Sequence, residues 1–158
     1  MCLLFYNVND AATNDEFSLV LANNRDEYWT RPTKTADFWN SGETCLSGLD
    51  QEPGREGGTW FGVNVFGRIG CLVNISSQQD TTKRGRGFLV SDFLTSHETL
   101  ESYSKRIAAE KDEYNGFTLT LIELQLPGTK GTGSRIMQVT NDKLADSPVS
   151  QKQPSADG

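Results

Sequence analysis

Where the aromatic residues stop decides how much of this chain can fold. All fifteen (3 Trp, 4 Tyr and 8 Phe) lie at or before Phe117, and the segment from Pro127 to Gly158 has none. Pro, Gly, Ser, Thr, Gln and charged residues dominate that segment. It can bury too little apolar surface to offset its ordering entropy. The sequence therefore reads as one folded domain over 1–126 and a mostly disordered tail over 127–158. No apolar run approaches the ~20 residues of a membrane-spanning helix. The opening Met1-Cys2-Leu3-Leu4-Phe5-Tyr6 has no basic flank and meets Asn7 at once, so it does not read as a signal peptide. A formal charge of −6 gives no field for collecting nucleic acid. Three cysteines without a Cys-x-x-Cys pair argue against a disulfide framework or a zinc knuckle and suit a reducing compartment. The single histidine, His97, leaves no multi-histidine metal site, and no resident cofactor or metal is expected.

The folded part reads as sheet-rich. Residues 2–8 are an unbroken apolar run, which suits a strand covered on both faces, and Phe17 to Ala22 is a second run after the turn residues Asn9 to Asp15. Together they predict a hairpin in which residue i faces roughly residue 24−i. Trp60 to Val65 and Ile69 to Ile75 flank Phe66-Gly67 and predict a second hairpin. Phe88, Leu89, Phe93 and Leu94 recur at helical spacing over about 86–95. A second helix follows, capped by Ser96 and buried through Leu100, Tyr103 and Ile107. Phe117, Leu119 and Leu121 alternate with Thr118 and Thr120 in a strand over 117–124. Consecutive hairpins followed by helices predict an α+β fold: an antiparallel sheet with helices on one side.

Four positions could carry chemistry. Once Met1 is removed, Cys2 combines a thiol nucleophile with its own α-amine, whose ordinary pKa is near 7.7–8.0. The alternative reading is a small apolar residue at a strand start. Arg25 and Asp26 follow the second strand. The hairpin register brings them near Cys2, where Arg25 would stabilise negative charge on sulfur and Asp26 could hold a terminal ammonium. A solvated turn with local ion pairs is the other reading. Asn74 closes an apolar strand, where its amide can donate to a developing oxyanion or simply shape a turn. Lys83, Arg84 and Arg86 precede a helix and suit a ligand carboxylate or phosphate, or form a solvated basic loop. Asp50 and Glu52 read as solvated, and Arg31, Trp39 and Trp60 as loop-packing residues.

Taken together, these segments resemble the NRDE family. The likeness is carried by Met1-Cys2, Leu21-Ala22-Asn23-Asn24-Arg25-Asp26-Glu27, Arg31-Pro32-Thr33 and Leu46-Ser47-Gly48-Leu49-Asp50. It continues through Glu56-Gly57-Gly58-Thr59-Trp60, Gly85-Arg86-Gly87 and Tyr114-Asn115-Gly116-Phe117, in family order over about 1–124. The resemblance implies the N-terminal part of an αββα sandwich of the N-terminal nucleophile (Ntn) hydrolase type, and amide C–N bond hydrolysis as the ancestral chemistry. In the related cholylglycine and penicillin V hydrolases the matching positions are Cys2, Arg25, Asp26 and Asn74. For this branch it implies secretory loading and Golgi organization, haem trafficking and links to acyl-CoA metabolism. A haem or acyl group is then the expected small amphipathic ligand, with Cys2 and His97 as candidate axial ligands to haem. It further implies a cytoplasmic protein associated with Golgi or mitochondria. Family members continue well past Leu124, whereas the tail from Gln125 reads as unrelated sequence, as from alternative splicing or a frame-shifted gene model. That reading implies a truncated isoform with an exposed sheet edge and impaired function.

Overall fold

The apolar run at the start forms β1 (Leu3–Val8), which pairs antiparallel with β2 (Leu19–Asn24). The computed structural model describes residues 2–39, 44–75, 79–126 and 133–142. Leu3 faces Asn24 and Val8 faces Leu19, so partner numbers add to 27 rather than the expected 24. The turn is longer than its Asn and Asp residues suggest. Asn9 N–H reaches Ser18 O at 2.9 Å, and Thr13 and Glu16 hydrogen-bond each other within the loop. The two strands form a separate ribbon, and the expected cover on both faces is not found. Phe5 is 67% exposed and Val20 52%, and among the described residues no third strand pairs with the ribbon.

The larger sheet is a six-stranded antiparallel meander. It runs through β3 (Thr33–Phe38), β4 (Cys45–Asp50), β5 (Phe61–Asn64), β6 (Arg68–Asn74), β7 (Phe117–Glu123) and β8 (Arg135–Thr140). The β5–β6 hairpin turns where the sequence predicts. Gly67 takes φ +84°, and the Asn64 side chain accepts from the N–H groups of Phe66 and Arg68. Two strands, β3 and β4, are not anticipated. β3 is an edge strand carrying Lys34 and Asp37, and β4 contains Ser47 and Gly48, so neither shows apolar alternation. β8 lies inside the expected tail and corrects the boundary at 126: Ile136, Met137 and Val139 pair with Ile122, Leu121 and Leu119 without any aromatic residue. Residues 127–132 and 143–158 of that tail lie outside the described residues.

Two helices cover one face, α1 (Phe88–Thr95) and α2 (Leu100–Glu110). Phe93, Tyr103 and Phe117, none of them exposed, anchor the core between helices and sheet, and the Tyr103 hydroxyl donates to Leu89 O at 2.8 Å. Thr99, not Ser96, caps α2, accepting from Ser102 N–H. Ser96 instead ends α1, and the Arg68 guanidinium ties down the carbonyls of Phe93, Ser96 and Glu98 there. Holding that segment extended delays the second helix to Thr99. Gly70 faces Val90 of α1, since a Cβ on Gly70 would lie 2.9 Å from the valine. Cys71, alternating with it, faces away from the helices, toward the ribbon. Among the described residues no helix is long and apolar enough to cross a membrane.

Candidate functional site

The ribbon register sets Cys2 against the residues that follow β2. Cys2 Sγ accepts from Asp26 N–H at 3.3 Å, and Leu3 N–H donates to the Asn24 side chain at 2.8 Å. Cys2 is half-buried, whereas Cys45 and Cys71 are buried. Burial, with Cys2 nearby, pushes the Cys71 thiol up to about 12, and burial also raises Cys45. Met1 lies outside the described residues.

Arg25 leaves the ribbon in the other direction. Its guanidinium lies 3.9 Å from the centre of the Trp60 ring and donates to Thr33 Oγ1 at 3.1 Å. That contact forms one wall of a cavity of about 230 Å³. Asn74, at the end of β6, lines the same cavity, as do Arg84 and Arg86 before α1. Leu72, Trp60 and Phe88 give it an apolar side. Of the residues singled out from the sequence, Arg25, Asn74, Arg84 and Arg86 share this cavity. Cys2 and Asp26 sit together but do not line it. Lys83 turns away, its ammonium donating to Tyr114 O at 3.3 Å. His97 is exposed and follows α1 at the end away from the cavity, which opens beside Gly87 and Phe88.

Several lining residues escape the sequence reading. Asp50 is not solvated. Its carboxylate accepts from Arg31 Nη2 at 2.7 Å and Nε at 3.2 Å, and from Glu52 N–H at 3.0 Å. Burial pushes the Asp50 carboxyl up, but these hydrogen bonds and the charges of Arg31 and Arg25 outweigh it and hold the group below its ordinary value. Trp60 serves as the platform for Arg25, and Trp39 donates to Ser47 Oγ at 2.9 Å. Arg55, from the β4–β5 loop, reaches the cavity opposite Gly85. No local pattern announces it, because the loop reaches the residues before α1 through glycine backbones. A Cβ on Gly58 would lie 3.2 Å from Gly87 Cα.

Charge is therefore concentrated here. Five arginines (25, 31, 55, 84 and 86) line the cavity against two carboxylates, Glu27 and Asp50, in a chain of net charge −6. Arg31 is paired with both carboxylates, and Arg84 with Glu110 and Glu113 outside the cavity. Burial lowers the Arg86 pKa, and the neighbouring Arg55 and Arg31 charges add to the effect while Glu27 and Cys2 oppose it. Arg86 donates to Gly116 O at 2.6 Å and to the Gln79 side chain at 3.3 Å, both uncharged acceptors. Such a cavity can hold an anion. Among the described residues no group of His, Cys, Asp and Glu could hold a metal ion.

The chain matches the family described as Transport and Golgi organisation 2 over residues 1–155. It is 43% identical over 126 residues to the Transport and Golgi organization 2 homolog of Mus musculus, covering 78% of this chain and 46% of that protein. The Homo sapiens homolog gives the same identity and coverage. The Drosophila melanogaster Transport and Golgi organization protein 2 is 30% identical over 148 residues, covering 89% of this chain and 51% of that protein. The chain thus spans about half the length of the curated relatives it matches. The family match extends past Leu124, where the sequence reading ended the resemblance, and takes in β8.

Proposed function

Because the chain belongs to the Transport and Golgi organisation 2 family, we propose that it holds the anionic end of a haem or acyl-bearing molecule in the arginine-lined cavity. It then passes that ligand between membranes in support of secretory transport and Golgi organization. The observation that carries this reading is the pairing of a cationic wall with an apolar one, Trp60, Leu72 and Phe88. At about 230 Å³ the cavity is smaller than the roughly 300–1,000 Å³ of sites that enclose a drug-sized ligand. It suits a head group, with the apolar part leaving over Phe88. His97, beyond the far end of α1, takes no part in this mode of binding. Cytoplasmic synthesis with a place at Golgi or mitochondrial surfaces fits the role. Haem titration followed at the Soret band, with displacement of a fluorescent fatty acid, tests it. A saturable spectral shift or saturable displacement is expected; neither occurring would end the reading.

A second reading, Ntn-type amide hydrolysis, is favoured by the Asp26 N–H beside Cys2 Sγ at 3.3 Å. In it the thiol adds to the amide carbonyl, the α-amine of Cys2 carries the thiol proton to the departing amine, and water cleaves the thioester to the acid. Asp26 would position the nucleophile through its N–H, and Asn74 and Arg25 would meet the substrate from the cavity that they line. Intact mass of the purified protein decides whether this is open. Retained Met1 puts the amine on the wrong residue and removes the mechanism.

A further inference from the structure

Arg25, Arg55 and Arg86 all line the cavity, and among the described residues none has a carboxylate within salt-bridge distance. Arg25 is held by a ring face and a threonine hydroxyl and Arg86 by a carbonyl and an amide, while the Arg55 guanidinium crosses Gly85. Holding like charges together in a partly dry cavity costs free energy that these uncharged partners do not return. The two lining carboxylates are already committed to Arg31. A lone carboxylate ligand would neutralise one guanidinium of the three. A phosphate group carries a second charge and three acceptor oxygens, and forked guanidinium donors match it. Asn74 and Asn115, also in the lining, add neutral amides.

We propose that the cavity is a phosphate-binding site in which Arg25, Arg55 and Arg86 together hold a phosphate or pyrophosphate group of the ligand. The inference deepens the ligand-holding reading above and rests on the same cavity. A phosphorylated soluble ester and a phospholipid head group share this chemistry.

The probe is inorganic pyrophosphate, titrated calorimetrically into the full chain at fixed ionic strength, with acetate as the monoanion control. Pyrophosphate should bind saturably and acetate should not. Arg55→Gln should weaken pyrophosphate by about tenfold or more, the ordinary loss for a charge-assisted hydrogen bond. Lys105→Gln, which removes one charge from an exposed position on α2, should leave the affinity unchanged. Arg55 has no carboxylate partner to lose, so its variant should melt like the parent, whereas Arg86→Gln frees a carbonyl and tests folding as well. Flotation with vesicles containing phosphatidic acid, lost in Arg55→Gln, would identify a lipid head group as the source. Pyrophosphate competing with that flotation would show one shared site. Absent binding of both probes, equal binding of acetate, or an unchanged Arg55→Gln would each overturn the inference. Fatty acid or haem binding without pyrophosphate would sink this inference alone. Pyrophosphate binding without either would sink the ligand-holding reading and keep the phosphate site.

Discussion

Replacing Asp50 with asparagine should weaken the fold and strengthen the cavity's hold on anions at the same time. The carboxylate binds Arg31 through Nη2 at 2.7 Å and Nε at 3.2 Å, with side chains 13% and 26% exposed. Unit charges about 4 Å apart attract by about 4 kcal/mol at an effective dielectric near 20. Desolvation of a half-buried pair returns part of that, and asparagine keeps the bond from Glu52 N–H, so the net cost of Asp50→Asn is roughly 2 kcal/mol. For a chain of this size that lowers Tm by roughly 4–8 °C. The carboxyl is held below its ordinary value in the folded state, so its contribution is complete above the unfolded pKa, near 3.9. It fades as the pH falls through the folded value. Thermal melts of both proteins at pH 7 should therefore differ, and the gap should close in acid. Removing one lining carboxylate also adds a net positive charge, so pyrophosphate should bind Asp50→Asn more tightly than the parent. Identical melts at pH 7, a gap undiminished at pH 2, or weaker anion binding would refute the reasoning.

Cys2 should alkylate with iodoacetamide near neutral pH well before Cys45 and Cys71, which are 3% and 1% exposed with raised pKa values. Mass mapping of the modified peptides reads this, and equal rates at all three would contradict the placement of Cys2 on the half-buried ribbon. Phe93→Ala removes a ring that is 0% exposed and packs 5.2 Å from Tyr103, so chemical denaturation should show a loss of about 3–5 kcal/mol. A loss below about 1 kcal/mol would mean that the helices do not seal the sheet as described.

The parts of the fold legible in the sequence are those whose signals are local. Gly67 fixes the β5–β6 turn, the spacing of Leu89, Phe93 and Leu94 makes α1, and the Thr/Leu alternation makes β7. β3 and β4 leave no such mark, because an edge strand can carry Lys34 and Asp37, and Gly48 in β4 is demanded by Trp60 lying over it. The absence of aromatic residues hid β8, whose pairing with β7 uses aliphatic side chains alone. At the site, Arg25, Asp26, Asn74 and Arg86 stand at strand ends or before a helix, where a polar residue after an apolar run is visible in the sequence. Arg55, Arg31 and Asp50 look like an ordinary charged loop. Only the fold turns them toward Arg86.

That turning depends on glycine. The β4–β5 loop meets the segment before α1 backbone to backbone, with Thr59 N–H donating to Gly87 O at 3.1 Å. Any side chain at Gly58 or Gly87 would force the two segments apart. At Gly85 a Cβ would lie 2.7 Å from Arg55 Nη1, so the same glycine-rich run that admits the loop leaves room for the guanidinium to cross it. The Gly116 carbonyl fixes Arg86 from the start of β7, and the Trp60 ring fixes Arg25 from the start of β5. Arg25 and Arg86 are thus held by different elements through uncharged contacts, and neither can relax away without breaking packing or a hydrogen bond. A scaffold that fixes two arginines, lets a third cross Gly85 and ties both lining carboxylates to Arg31 is organised for a charge that arrives with the ligand.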